Sequence, residues 1–349
     1  MTIATGPVRT SGPAPARIGF ATGYDPALPV RAYLDWVREV EARGWEMAFF
    51  SETIALMRDS VSALSAFAMA TERLALGCTQ VVRLRTPVAM AQTAASLDEL
   101  TGGRFVLCPG ACTALHAERH ALAPIDPPLA LTEWVEAIRL LLTGERISYA
   151  GKVVTLTDVQ LGWKPVRTRV PLWIAATSAT GLRLAGRIGD GVLLNTVASP
   201  EYSANAIGIL RSAVAEAGRD WDDFEVAQII NTSVEDDHAR ALDAVRWEVA
   251  TKFLPGKFRT QAGPRMRVGE PHIDVAALPA FEAAFAAGGA DGLARALPAS
   301  WVEAFTASGT PDEARARVER YRAAGVKLPI VRPAAAHQAR RIVEVFSPA

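Results

Sequence analysis

Short apolar runs recur along the chain, and each is followed by a stretch in which apolar residues return at helical spacing. The runs are RIGF (17–20), MAFFS (47–51), LALGCT (74–79), RFVLCP (104–109), PLWIAA (171–176), GVLLN (191–195), FEVAQIINTSV (224–234) and KLPIVRP (327–333). Each reads as a strand. Between them lie amphipathic helices. YLDWVREVEARG (33–44) stops at Gly44, TPVAMAQTAASLDELTGG (86–103) opens on Pro87 and ends in Gly102-Gly103, and LTEWVEAIRLLLTG (131–144) is as regular. Pro suits the first helical turn and Gly the residue past the last. TPDEARARVERYRAAG (310–325) begins with Thr310, Pro311 and Glu313, a capping box with Pro at the first turn. Strands alternating with helices imply parallel pairing. Eight such units predict a closed (β/α)8 TIM barrel of the α/β class. An open doubly wound sheet is the alternative; the count of eight, and the lack of a Gly-x-Gly-x-x-Gly after the first strand, argue against it.

Two insertions interrupt the rhythm, after the fourth helix and the seventh strand. Residues 144–169 read as a small hairpin outside the barrel, and residues 251–305 as a long segment, helical in its second half. The stretch Lys252–Glu270 carries the basic residues Lys252, Lys257, Arg259, Arg265 and Arg267 against the single acid Glu270. Long insertions in barrels build the pocket or an oligomer contact. The opening MTIATGPVRTSGPAPAR has no apolar signal core and is rich in Pro, Gly and Ser. Residues 1–16 are therefore expected to be a disordered tail, leaving 17–349 as one barrel domain.

Composition narrows the partners. Lys+Arg and Asp+Glu both number 37, so the chain is balanced in charge. It has no electrostatic footprint for nucleic acid or an anionic membrane. No window of about 18 apolar residues spans a bilayer. The cysteines Cys78, Cys108 and Cys112 show neither a Cys-x-x-Cys repeat nor Cys/His ligand spacing. They read as reduced thiols of a cytoplasmic protein, with no metal site.

Candidate chemistry centres on PLWIAATSATGLRLAGRIGDGVLLN (171–195), where the small polar run TSATG joins a strand to a helix. In a TIM barrel the carboxyl ends of the strands carry the active site. A helix start there offers unpaired N–H groups and a partial positive charge, so small residues let an anion approach the backbone. TSATG therefore reads as a phosphate cradle; the plainer account is that Ser178 or Thr180 caps the helix.

The same segment resembles the phosphate segment of the luciferase-like monooxygenase superfamily, with Pro-(Val/Leu)-x-Ile-Ala-Ala, small residues and then Ala-Gly-x-x-(Ala/Gly)-Asp-Gly. EARGWEMAFFSE, LALGCTQVVRLRTPVAMAQTAASLDELTGGRFVL and AFTASGTPDEARARVERYRAAGV are similar to other stretches of that family, and the likeness covers most of residues 17–333. It is nearest the branch of reductases and dehydrogenases that use the 5-deazaflavin coenzyme F(420), of the methylenetetrahydromethanopterin-reductase type; another branch uses FMN with oxygen. The resemblance implies that Ala176, Thr177, Ser178, Ala179 and Gly181 hold the coenzyme phosphate, with Asn195 and Thr196 close by. It puts Thr79 and Gln80 at a bulge, often with a cis peptide, behind the deazaflavin ring, and Gly110 and Ala111 where backbone passes the ring. Glu52 matches an acidic position after the second strand; its plain alternative is a solvated carboxylate at a helix start.

Departures matter as much. The Asp-His pair found in many deazaflavin dehydrogenases is Glu52-Thr53 here, and Thr113 stands nearest the position of a usual Glu or Asp. Both usual proton-handling side chains are absent, leaving Glu52, Tyr24, His116, His120 or water as donors. His116 and His120 lie four apart with Glu118 between, but no third metal ligand is evident. An acceptor whose anion is already stabilised, such as an enone, a dehydroamino acid or an iminium, makes the least demand on such a site. The expected activity is hydride delivery from reduced F(420) to an activated C=C or C=N of a small-molecule or peptide-derived substrate in secondary metabolism. The alternatives are an FMN-dependent monooxygenase and a non-catalytic cofactor-binding barrel. The smooth, small-residue helices over 59–71 and 88–97 predict a homodimer with Ala66, Met69, Met90 and Thr93 at or near its interface.

Overall fold

The structure, a computed structural model, describes residues 16–52, 57–255, 257–258 and 262–348, without the side chain of residue 115. The expected tail, apart from Ala16, lies outside the described residues, as do Thr53 and Arg259. The strands are β1 (Gly19–Thr22), β2 (Met47–Phe50), β3 (Ala75–Val81), β4 (Phe105–Gly110), β5 (Ile147–Ala150), β6 (Thr155–Val159), β7 (Trp173–Ala175), β8 (Gly191–Leu194), β9 (Glu225–Val234), β10 (Ala307–Gly309) and β11 (Leu328–Pro333). The helices are α1 (Val30–Ala42), α2 (Ser60–Ala68), α3 (Pro87–Leu100), α4 (Ala114–Arg119), α5 (Pro127–Leu142), α6 (Ala179–Ile188), α7 (Pro200–Glu216), α8 (His238–Ala250), α9 (Ala262–Met266), α10 (Leu278–Ala296), α11 (Ala299–Phe305), α12 (Pro311–Ala323) and α13 (Ala339–Phe346).

Strands β1, β2, β3, β4, β7, β8, β9 and β11 are the eight expected from the sequence. They pair in parallel in that order, and β11 closes back on β1. The result is the predicted TIM barrel. Alternate residues of all eight strands point into it: Ala21, Met47, Phe49, Ala75, Val106, Cys108, Trp173, Ala175, Leu193, Ala227, Ile229, Leu328 and Ile330 form one apolar cluster. The opposite parity packs against the helices in a second, larger cluster that includes Phe20, Phe50, Leu76, Cys78, Leu107, Ile174 and Val192. Strand alternation thus fills a barrel interior and an outer layer from one sequence.

The Ala-Gly-x-x-Gly-Asp-Gly stretch is explained mainly by packing. A Cβ on Gly186 would sit 2.6 Å from the Ala213 Cβ, so the glycine lets α6 approach α7. Asp190 accepts from Arg139 (2.9 Å), Arg169 (2.6 Å) and the Leu172 amide (2.9 Å), tying the start of β7 to α5. Burial acts to raise its pKa, but Arg139 and the hydrogen bonds outweigh that and hold the carboxyl below its usual range.

The first insertion is the antiparallel hairpin β5–β6. Glu133 of α5 fastens it, accepting from the amides of Lys152, Val153 and Val154 at 2.7, 2.8 and 2.8 Å. The second insertion has its own apolar cluster, built from Phe253, Ile273, Phe281, Leu293, Trp301 and Phe305 against Val245 and Val249 of α8. It ends in β10, a short strand that the apolar pattern does not announce; it pairs in parallel with Thr232–Val234 of β9, beyond the point where β8 stops. The capping box at Thr310 forms as expected, with the Thr310 amide donating to Glu313 at 2.8 Å.

Two expectations need correction. All peptide bonds among the described residues are trans, and β3 keeps its register with β4 through Thr79 and Gln80 to Val81. Met90 is fully buried beneath α3, so it cannot lie on an outer face. Its helix is smooth partly because much of it is core: Met90, Ala91, Ala94, Ala95 and Leu97 all face inward. Among the described residues, no helix is long and apolar enough to cross a membrane.

Candidate active site

The apolar plug of the barrel ends below its C-terminal mouth. Carrying the inward parity on to the C-terminal end of each strand gives Gly23, Ser51, Thr79, Gly110, Thr177, Asn195, Asn231 and Arg332. Every strand therefore ends in a small or polar residue over an apolar floor. Four of these, Thr79, Gly110, Thr177 and Asn195, are coenzyme positions from the sequence. Among the described residues, Gly110 has only Ala175 Cβ at 3.5 Å and the Gln80 carbonyl at 3.9 Å near the place a Cβ would occupy, and Ala111 after it is half-buried. Gln80 has the opposite parity: its side chain lies in the helix layer, where Nε2 donates to Ser60 Oγ at 3.4 Å.

The start of α6 sits at the same mouth. Ser178 is its N-cap and accepts from the Gly181 amide at 3.1 Å. Ser178 thus caps the helix and satisfies one first-turn amide, while those of Ala179 and Thr180 have no intrahelical acceptor. A Cβ on Gly181 would approach Ser178 Oγ at 3.3 Å and Ala176 Cβ at 3.4 Å, so a larger residue crowds the turn. Ala176 is buried and its amide donates to the Leu193 carbonyl at 3.3 Å, pinning the loop to β8. Tyr202 donates its hydroxyl to the Thr177 carbonyl at 2.9 Å. Asn195 is exposed and accepts from the amide of buried Thr196 at 2.7 Å. Arg265, buried within the second insertion, donates to the Thr196 carbonyl at 3.0 Å.

The candidate proton donors are separated. Glu52 is buried after β2; its Oε2 accepts from Ser60 amide (3.1 Å), Ser60 Oγ (2.5 Å) and Arg85 (3.0 Å), and its Oε1 has no partner among the described residues. Arg85 also holds Asp59, the N-cap of α2, at 2.6 Å. The Tyr24 ring packs edge-on against Phe20 and Tyr33 in the outer layer. Burial raises its pKa, so the hydroxyl stays protonated, and it too is buried with no partner among the described residues. His116 is in the first turn of α4, with its amide capped by Thr113 at 3.3 Å. Burial, then His120 and Arg119, lower its pKa, so it is neutral at pH 7. The structure does not bring Glu52, Tyr24 and His116 into one hydrogen-bonded group. His120 is exposed, and no cluster of three metal-ligating side chains is found among the described residues. The thiols of Cys78, Cys108 and Cys112 are all pushed up by burial, away from the thiolate form.

Asn231 and Arg332 were missed from sequence. They are register partners on β9 and β11, at the top of the inward parity. Arg332 donates to Asn231 Oδ1 (3.1 Å), Glu248 (2.9 Å) and the Tyr24 carbonyl (3.2 Å). The signal was available: in KLPIVRP, Arg332 shares its parity with Leu328 and Ile330, so an inward-facing strand ends in a charge.

A parallel barrel whose strand ends form a polar ring beside an open helix start defines a TIM-barrel protein with an anion-ready mouth, the arrangement on which phosphate-bearing coenzymes dock. The chain belongs to the luciferase-like monooxygenase family, whose model matches residues 12–328. It is 30% identical to the 5,10-methylenetetrahydromethanopterin reductase of Archaeoglobus fulgidus over 77% of this chain and 80% of that protein. It is 29% identical to the F(420)-dependent glucose-6-phosphate dehydrogenase of Microbacterium testaceum, covering 67% of this chain and 73% of the relative. Among solved structures, the coenzyme F(420)-dependent tetrahydromethanopterin reductase of Methanopyrus kandleri superposes with a TM-score of 0.82 at 22% identity, over 95% of this chain and 98% of that one.

Proposed function

We propose that this chain is a coenzyme F(420)-dependent oxidoreductase that reduces an activated C=C or C=N bond of a small-molecule or peptide-derived substrate. The observation that carries the reading is the helix start at Ser178–Gly181, placed at the barrel mouth next to strand ends that are small or polar on all eight strands. These residues fit the coenzyme: Ala179 and Thr180 offer first-turn amides to its phosphate, and Gly181 and Gly110 leave room for close approach. The F(420)-dependent relatives support the deazaflavin over FMN.

When bound, the reduced deazaflavin supplies a hydride. The protein holds the phosphate at α6, offers Thr79, Gly110 and Ala111 to the ring, and keeps water from the apolar floor of the barrel. The usual histidine and the usual carboxylate of the resemblance are replaced by Thr53 and Thr113. Glu52 is engaged by Ser60 and Arg85, and His116 is neutral, so a substrate whose product anion is stabilised by conjugation, or an iminium that needs no proton, suits the site. The relatives named above are a 5,10-methylenetetrahydromethanopterin reductase and a glucose-6-phosphate dehydrogenase; the residues at the strand ends here favour a different acceptor.

The test is anaerobic oxidation of reduced F(420) by the purified protein with a panel of enones, dehydroamino acids and cyclic iminium ions, set against alcohols and glucose 6-phosphate in the reverse direction. Turnover with an activated acceptor supports the reading. Turnover only in the reverse direction, or oxygen consumption with reduced FMN, overturns it. We further propose that the chain works as a homodimer, with Ala66, Met69 and Thr93 at or near the contact.

A further inference from the structure

Asn231 is buried to 1% exposure at the top of the barrel interior. Arginine has no acceptor atom, so the bond from Arg332 Nη1 at 3.1 Å requires that the carboxamide oxygen of Asn231 face Arg332. That fixes Nδ2 on the other side. Nδ2 is buried and has no partner among the described residues. A buried amide donor without an acceptor is uncommon in a folded protein, and one held in a single orientation at an active-site mouth is completed by a ligand oxygen.

The surroundings favour an oxygen that gains negative charge. Arg332 is anchored by Glu248 at 2.9 Å and by the Tyr24 carbonyl at 3.2 Å, so it cannot swing away from Asn231 without breaking both. Lys252, one turn beyond Glu248, brings a second cation to this quadrant; burial first, then the charge of Arg332, lowers its pKa to about 8. Two cations thus face one carboxylate here. The α6 start follows β7, which only β8 separates from β9, so the proposed phosphate site and this donor share one side of the mouth.

We infer that Asn231, oriented by Arg332, is the subsite for the carbonyl or carboxyl oxygen of a conjugated acceptor, which makes α,β-unsaturated carbonyl compounds the substrate class. This rests on the coenzyme reading above. The β-carbon of the acceptor takes the hydride, the C=C electron pair shifts to join the α-carbon and carbonyl carbon, and the carbonyl pair moves onto oxygen. The resulting enolate oxygen accepts from Asn231 Nδ2. The coenzyme is oxidised by two electrons, and a solvent proton at the α-carbon completes the reduction. Asn231 touches the substrate, whereas Arg332 is a positioning residue.

A phenol mimics the enolate, because its oxygen ionises into a conjugated ring. The probe is 4-fluorophenol, bound to the protein loaded with oxidised F(420) and followed by fluorine NMR across pH. In the wild type the bound phenol is expected to ionise at lower pH than the free phenol. Asn231→Asp keeps the Oδ1 acceptor for Arg332 but replaces the donor, and Asn231→Ala removes both; in each, the downward shift should vanish while coenzyme affinity and melting temperature stay near wild type. Arg332→Lys should shrink the shift, since the carboxamide loses its fixed orientation. Where the wild type reduces 2-cyclohexen-1-one, Asn231→Asp should lower kcat about a hundredfold, the usual effect of losing one oxyanion donor. An unshifted phenol in the wild type, no phenol binding at all, or an equal shift in Asn231→Asp overturns the inference. Failure of F(420) to bind is a different result and overturns the function itself.

Discussion

At Gly181 a single hydrogen atom separates a cradle from a blocked turn. Gly181→Asp places a carboxylate where the coenzyme phosphate would approach α6, adding like-charge repulsion at a helix start that otherwise favours anions. Its affinity for F(420) is expected to fall about tenfold or more, a change of about 1.4 kcal/mol, with an unchanged circular dichroism spectrum. Gly181→Ala, which only crowds Ser178 Oγ at 3.3 Å, should lose less. Equal affinity in all three proteins would remove the phosphate from α6. Asp190 offers a stability test of the same segment. Asp190→Ala leaves Arg139 without its carboxylate and should cost about 3 kcal/mol in urea denaturation. Because the folded state holds this carboxyl below its usual range, its contribution is complete above the unfolded pKa near ~4 and fades as pH falls through the lower folded value. The gap between wild type and Asp190→Asn should therefore narrow in acid, and a gap that widens would contradict the assignment.

Elements show where sequence pattern is informative and where it stops. The eight barrel strands were legible because apolar runs bounded by helical periodicity leave little choice of architecture, and the hairpin at β5–β6 because its residues break that period. Strand β10 was not legible: Ala307–Gly309 has no apolar run and exists only because β9 outlasts β8 and leaves an edge to pair. The basic character of 252–270 was visible, but its use was not. A count of charges suggests a solvated or steering loop, whereas Arg265 is buried and donates to the Thr196 carbonyl. TSATG joins the end of β7 to the start of α6, as the strand–helix pattern predicts, while the Gln80 side chain lies in the helix layer, because strand parity rather than proximity in sequence decides which way a side chain points. Arg332 is hidden from an apolar pattern for the same reason, since only its parity with Leu328 and Ile330 places it on the inward face. Arg265→Met keeps the volume and removes the donor, so the second insertion should loosen. Hydrogen exchange across 251–305 is expected to rise, with an affinity loss for F(420), whereas exchange confined to α9 would limit Arg265 to a local role.

For the whole molecule, the outer faces of α2 and α3 carry Ser62, Ala66, Met69, Thr93 and Ser96, with Met69 exposed to 77%. A large exposed methionine amid small residues is a surface that a second copy can cover closely. The protein is expected to run at dimer mass in light scattering at micromolar concentration, and Ala66→Arg combined with Met69→Arg should give a folded monomer. A wild-type monomer, or a dimer indifferent to both charges, would show that the contact lies elsewhere. The coenzyme is the claim on which the remaining function depends, since the cradle, the ring-facing strand ends and the acceptor subsite all take their meaning from it. The direct measurement is equilibrium titration of the coenzyme-free protein with F(420) and, separately, with FMN, followed by fluorescence. The account predicts saturable, one-to-one binding of F(420), weaker binding of FMN, and F(420) binding about tenfold or more weaker in Gly181→Asp. Tighter binding of FMN, or binding of neither, would contradict it.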